Sequence, residues 1–142
     1  MSFYNKLEIY TDGGARGNPG PAGIGVVIKD GDKIVRSYSK HIGKATNNEA
    51  EYQALILALQ KAKEFKPFQV RCFLDSELVV KQLNHEYKIK EENMAALFIK
   101  VWNLILDFEK VEFIHIPREK NKEADKLVNE ALDAEISKAK LF

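Results

Sequence analysis

Leu7, Ile9 and Thr11 alternate with Glu8, Tyr10 and Asp12, and this period of two predicts a half-buried strand. Two further strands are expected over Gly23 to Ile28 and Lys33 to Tyr38, joined at Asp30-Gly31, a dipeptide suited to a hairpin turn. Near Asn47 the period lengthens to that of a helix running to about Phe65, and Thr46-Asn47-Asn48-Glu49 has the spacing of a capping box at its start. Val70 to Leu74 is a short apolar run that predicts a strand. Ser76 then caps a short helix through Leu83, and a longer helix is expected from Glu91 to Phe108. Val111 to Ile116 is the last predicted strand, and Asn121 opens a final helix to about Ile136. A meander followed by strands alternating with helices is an α/β arrangement. It predicts one five-stranded mixed sheet, a three-strand antiparallel meander plus two parallel strands, with helices on both faces. Ligands of such sheets sit beyond the carboxyl ends of the parallel strands.

The 142 residues suit a single domain over 1–142 with a core large enough to need no disulfide. The lone Cys72 lies in an apolar stretch and is expected to be a small buried hydrophobe. No apolar stretch approaches the roughly 20 residues of a membrane span. Met1 to Lys6 has no apolar signal core, so a cytoplasmic protein without a membrane partner is expected. The net charge of +1 gives no reason by itself to invoke a polyanion. Its partition changes that slightly. Residues 1–48 carry seven Lys/Arg against four Asp/Glu, and the remainder 15 against 17, so any phosphate-binding surface has to be a local patch.

Asp12 and Asp75 end the first and fourth predicted strands and project at one sheet edge if those strands are parallel neighbours. Glu51 shares a helical stripe with Leu55, Ala58 and Ala62, and Asp125 shares one with Val128 and Leu132. Each acid alone has an ordinary explanation in turn chemistry or in the helix dipole. Together they do not, because four carboxylates without cationic partners repel one another and are costly to bury. Oxygen-only ligands suit Mg²⁺ or Mn²⁺, and two such ions would balance the four charges. Six of the eight glycines lie between positions 13 and 25. Gly23-Ile24-Gly25 opens a strand rather than a helix, which excludes a dinucleotide fingerprint. Either an elaborate hairpin turn or a loop that admits a polymer backbone remains.

Tyr10-Thr11-Asp12-Gly13-Gly14-Ala15-Arg16-Gly17-Asn18-Pro19-Gly20, Thr46-Asn47-Asn48-Glu49-Ala50-Glu51, Leu74-Asp75-Ser76 and Asn121-Lys122-Glu123-Ala124-Asp125 resemble, in order, the motifs of type 1 ribonuclease H (ribonuclease HI). The resemblance covers nearly the whole chain. It implies a ribonuclease H-like fold and a divalent-metal-dependent endonuclease that hydrolyses the RNA strand of RNA–DNA hybrids. It assigns catalytic and metal-binding roles to Asp12, Glu51, Asp75 and Asp125, with two Mg²⁺ per site and Mn²⁺ as a substitute. It implies substrate contacts from Gly13, Gly14, Asn18, Thr46, Asn47, Asn48 and Ser76, and a monomer is expected. Two features depart from the family. The segment His115 to Asn121 is too short for the flexible histidine loop of many members, and His115 is expected to be a structural residue inside its strand. Tyr87-Lys88-Ile89-Lys90 leads straight into Glu91-Glu92, where some members carry a basic helical handle. Arg118 is therefore the cation best placed to bind a phosphate beside the scissile bond. Trp102 is expected in the core with Leu97, Phe98, Val101 and Ile105. Two rival functions fit less well. The intact quartet of acids argues against a hybrid-binding module that has lost chemistry. Against a relative of the same fold, such as a DNA junction nuclease or transposase core, the Gly13-Gly14 and Thr46-Asn47-Asn48 segments favour ribonuclease H.

Overall fold

Three consecutive strands pair through short turns; the first alternates buried with less buried positions over its first half, the second is buried almost throughout, and the third is mostly exposed. The structure, a computed structural model, describes residues 4–141, with side chains described to residue 138; the first three residues of the segment read for a signal core lie outside it. Strand β1 (Lys6–Ala15) pairs antiparallel with β2 (Gly20–Asp30), which pairs antiparallel with β3 (Lys33–Ala45). Strand β4 (Gln69–Leu74) lies parallel to β1 from Lys6↔Gln69 to Thr11↔Leu74, and β5 (Lys110–His115) lies parallel to β4. The sheet order is β3-β2-β1-β4-β5, so the mixed sheet expected from the pattern is the one present.

The parallel register places the site. Asp75 follows the last residue of β4 and therefore lies beside Asp12. Asp12, however, does not end its strand. β1 continues to Ala15 because β2 keeps pairing with it, as Asp12↔Gly25, Gly13↔Ile24, Gly14↔Gly23 and Ala15↔Ala22. The glycine-rich segment is thus mostly strand, not loop, and only residues 16–19 turn the chain, with a cis peptide at Asn18-Pro19.

Helix α1 (Asn47–Ala62) starts with the expected capping box: Thr46 Oγ1 accepts from the Glu49 backbone, and Glu49 Oε1 accepts from the Thr46 backbone. Its stripe of Glu51, Leu55, Ala58 and Ala62 is buried, as the spacing predicts. Leu55 packs with Leu7, Ile9, Val26, Ile28, Val70, Cys72 and Leu74 in the main core. Cys72 is fully buried there, and burial pushes its thiol above the ordinary range. Helices α2 (Glu77–Leu83) and α3 (Glu92–Ile105) complete this layer. Eight residues join them, with no helical handle between. Val101 is buried, but Trp102 is only half-buried and stacks on His85 instead of entering the core. Helix α4 (Lys122–Leu141) runs beyond the expected end at Ile136 and packs on β1, β2 and β3 through Ala124, Val128, Ala131 and Leu132. No helix among the described residues is long and apolar enough to cross a membrane.

Candidate active site

Two glycines decide how near the helices come to the sheet. A Cβ on Gly13 would lie 2.3 Å from the Ala50 carbonyl carbon, so α1 can dock only because position 13 has no side chain. Gly25, opposite Asp12, plays the same part for α4: a Cβ there would lie 2.2 Å from the Ala124 carbonyl oxygen. Each contact falls next to an acid. Ala50 precedes Glu51 and Ala124 precedes Asp125, so the two close approaches carry both carboxylates to the end of β4.

The result is a cavity of about 390 Å³ lined by Asp12, Gly13, Gly14, Asn47, Asn48, Glu51, Asp75, Ser76, Arg118 and Asp125. Oxygens of Asp12, Glu51 and Asp75 all lie within 4.8 Å of one another. Glu51 and Asp12 are 6% and 8% exposed, whereas Asp125 sits exposed at the rim. The Gly13 N–H donates to Asp12 Oδ1 (3.0 Å) and, more weakly, to Glu51 Oε1 (3.4 Å). Glu51 Oε2 is buried without a hydrogen-bond partner, and no salt bridge among the described residues reaches the cluster. Burial pushes the Asp12 carboxyl up to about 7; Asp75 and Asp125 add to this, and a contact with Glu51 partly offsets it. Burial, and then the Asp12 charge, push Glu51 upward as well. A tight group of oxygens with an orphaned acceptor and no cation fits a divalent metal ion in its donor type, its charge and its crowding.

Two residues named from sequence do not line the cavity. Thr46 uses its hydroxyl to cap α1. Asn18 Oδ1 accepts from the Asn47 backbone (3.0 Å), while Asn47 Oδ1 accepts from Ala15 (2.8 Å). The two asparagines therefore tie the 16–19 turn to the start of α1. Ser76 caps α2, with its Oγ 3.3 Å from the Val79 N, and still faces the cavity. Arg118 stands exposed in a short 3-10 turn (Arg118–Lys120) and makes no ion pair among the described residues. Glu123, a candidate partner, is held by Lys29 at 2.7 Å. His115 is exposed at the last position of β5, not a structural residue within the strand, and it does not line the cavity. Sequence reasoning missed Arg16 and Asn129 at the lip. Arg16 Nη2 binds Asp133 (2.7 Å) and Asn129 (3.4 Å), pinning the β1–β2 turn to α4. Arg16 is the one cation inside the glycine-rich segment, and Asn129 lies one helical turn beyond Asp125; those were the available signals.

Comparison with known proteins bears on the family and the fold. The family model described as "Reverse transcriptase-like" matches residues 10–131. The bifunctional protein Rv2228c of Mycobacterium tuberculosis is 38% identical over 131 residues, covering 91% of this chain but only 36% of the mycobacterial protein. The ribonuclease HI of Halobacterium salinarum is 41% identical over 129 residues, covering 90% of this chain and 65% of that one. The solved structure of LC11-RNase H1 from compost, in complex with an RNA/DNA hybrid, superposes with a TM-score of 0.88 at 47% identity, over 92% of this chain and 99% of that one. With its five-stranded sheet, its carboxylates in the motif positions and these relatives, the chain belongs to the type 1 ribonuclease H family.

Proposed function

We propose that this chain hydrolyses the RNA strand of RNA–DNA hybrids with two divalent cations, Mg²⁺ or its substitute Mn²⁺, leaving 5′-phosphate and 3′-hydroxyl ends. One observation carries this reading: carboxylates from β1, α1, the β4–α2 junction and α4 line one cavity, and among the described residues none of them has a salt-bridge partner. The hybrid bound to LC11-RNase H1 supports the substrate class. Asp12, Glu51, Asp75 and Asp125 would hold the ions. Cations bound there would lower the pKa of an attacking water and neutralise charge growing on the phosphate and the leaving oxygen.

The protein's own residues account for choosing RNA. Only an RNA strand presents 2′-hydroxyls along the shallow minor groove. The Gly13-Gly14 main chain, Asn47, Asn48 and Ser76 line the cavity where such a groove would settle. Asn47 spends its carbonyl on Ala15, which leaves its Nδ2 free to donate to a hydroxyl or a base edge. Asn18 and Thr46 act indirectly in this reading, by holding the turn and the helix start. Arg118, exposed at the cavity and without an ion pair among the described residues, would grip a phosphate flanking the scissile bond in a bidentate, charge-assisted contact.

The test is incubation with labelled hybrid, duplex DNA and duplex RNA, with and without Mg²⁺ or Mn²⁺. Cleavage confined to the RNA of the hybrid and abolished by chelator is the expected result. Undiminished cleavage in excess chelator would refute the metal assignment.

A further inference from the structure

Asn121 precedes α4, where an asparagine ordinarily serves as a helix cap, its side-chain oxygen accepting from a backbone N–H of the first turn. Here it does not. Its carbonyl accepts from Asp125 N (3.1 Å) in the ordinary way, but its Oδ1 is buried with no hydrogen-bond partner among the described residues. The side chain turns the other way. Nδ2 donates to the Thr11 carbonyl at 2.8 Å and to Asp75 Oδ2 at 3.0 Å, in a residue only 1% exposed. The amide orientation is unambiguous, because the flipped form would set an oxygen against two acceptors.

One buried amide therefore joins the backbone just before Asp12, the carboxylate that follows β4, and the segment that carries Asp125. We infer that Asn121 is a positioning residue that orients Asp75 for metal, by satisfying one of its oxygens so that the carboxylate faces the cavity in a single rotamer. This rests on the metal-dependent reading above. A carboxylate ligand left without its outer hydrogen bond can rotate away from the ion or pair elsewhere, and outer partners of this kind are typically worth roughly 10–100-fold in metal affinity. A capping role and a positioning role predict different outcomes for a hydroxyl at position 121. Asn121→Ser keeps a competent helix cap but is too short to reach Asp75, so a residue needed only as a cap would tolerate it.

The experiment is a calorimetric Mg²⁺ titration of wild type, Asn121→Ser and Asn121→Ala, alongside cleavage measured against Mg²⁺ concentration. Both variants should bind Mg²⁺ about tenfold more weakly. The Mg²⁺ needed for half-maximal cleavage should rise by a similar factor, while KM for the hybrid stays within about twofold. Val79→Ala, a core truncation far from the acids in role, should lower Tm without moving the Mg²⁺ curve. A wild-type Mg²⁺ curve in Asn121→Ser would overturn the inference. A wild-type protein that binds no Mg²⁺ and cleaves no hybrid would overturn the functional reading itself, and this inference with it. The wild-type protein offers a second measurement that no folding defect can confuse. The Asn121 side-chain NH₂ resonances should shift on adding Mg²⁺, and resonances that ignore the metal would also refute the role.

Discussion

The two faces of the sheet are built differently. On the α1 face, Leu7, Ile9, Val26, Ile28, Tyr52, Leu55, Leu59, Val70 and Leu74 are all fully buried in one cluster of bulky side chains. On the α4 face the helix sits against glycine, and its buried residues are Ala124, Val128, Ala131 and Leu132. The first face holds most of the apolar area that resists unfolding. The second holds less and sets a distance, that of Asp125 from the other acids. Stability and catalysis should therefore respond to different substitutions, even though both faces share the same strands.

The sharpest break of that comparison is Asp12→Asn. Cleavage should fall about a thousandfold or more, because Asp12 clusters with Glu51 and Asp75 and also feels the charge of Asp125, while the protein folds normally. Stability should move the opposite way. The Asp12 carboxyl is raised to about 7 from 3.8, so between about pH 4 and 7 the folded protein holds a proton that the unfolded chain has released. In chelator, wild-type stability should thus be highest at the acid end of that window and fall as pH rises through it. The Asn variant should flatten this slope and, at pH 7, exceed wild type by about 1 kcal/mol or more. Thermal unfolding across pH, with chelator and then with Mg²⁺, checks both signs. A wild-type slope that rises with pH would refute the burial argument.

Gly25→Ala tests the thin face. The added methyl would overlap the Ala124 carbonyl, so α4 must shift away from the sheet. A displacement of about 1 Å at Asp125 should reduce cleavage roughly 100-fold, with a stability loss of about 1–3 kcal/mol. Activity near wild type in a folded variant would show that the helix spacing is not what positions the acid.

Arg118→Ala should lower cleavage about tenfold and make hybrid affinity fall less steeply with salt, by about one unit of slope. Because Arg118 makes no ion pair among the described residues, its removal should leave Tm unchanged. If neither rate nor salt slope moves in binding measured from low to moderate salt, the residue is an ordinary surface cation.

Leu55→Ala should have the smallest effect on cleavage and a large one on stability. Truncating a fully buried leucine in the α1-face cluster costs about 2–5 kcal/mol. Assayed well below its lowered Tm, the variant should cleave at close to the wild-type rate. A drop in kcat comparable to that of Gly25→Ala would mean that the two faces are not separable.

Local rules determined a good deal of this protein. The period of two, the Asp30-Gly31 turn and the capping box specify β1, the β2–β3 hairpin and α1, because each is an interaction among near neighbours in the chain. The stripe through Glu51 and Leu55 shows which side of α1 is buried, and the spacing of the four motifs names the acids. What local rules could not reveal was the reach of β1 past Asp12. That depends on Gly13 and Gly14 finding Ile24 and Gly23 across a turn, a pairing with no signature in the glycines themselves. The His115 position also escaped, since a strand end is set by where its neighbour stops. Only the tertiary structure decided that Gly13 and Gly25 are docking points for two helices, and that Asn121 turns from its helix toward Asp75. The physical reason is common to both. A close approach and a shared hydrogen bond join residues between 37 and 110 positions apart, and such contacts exist only once the sheet has brought its strands side by side.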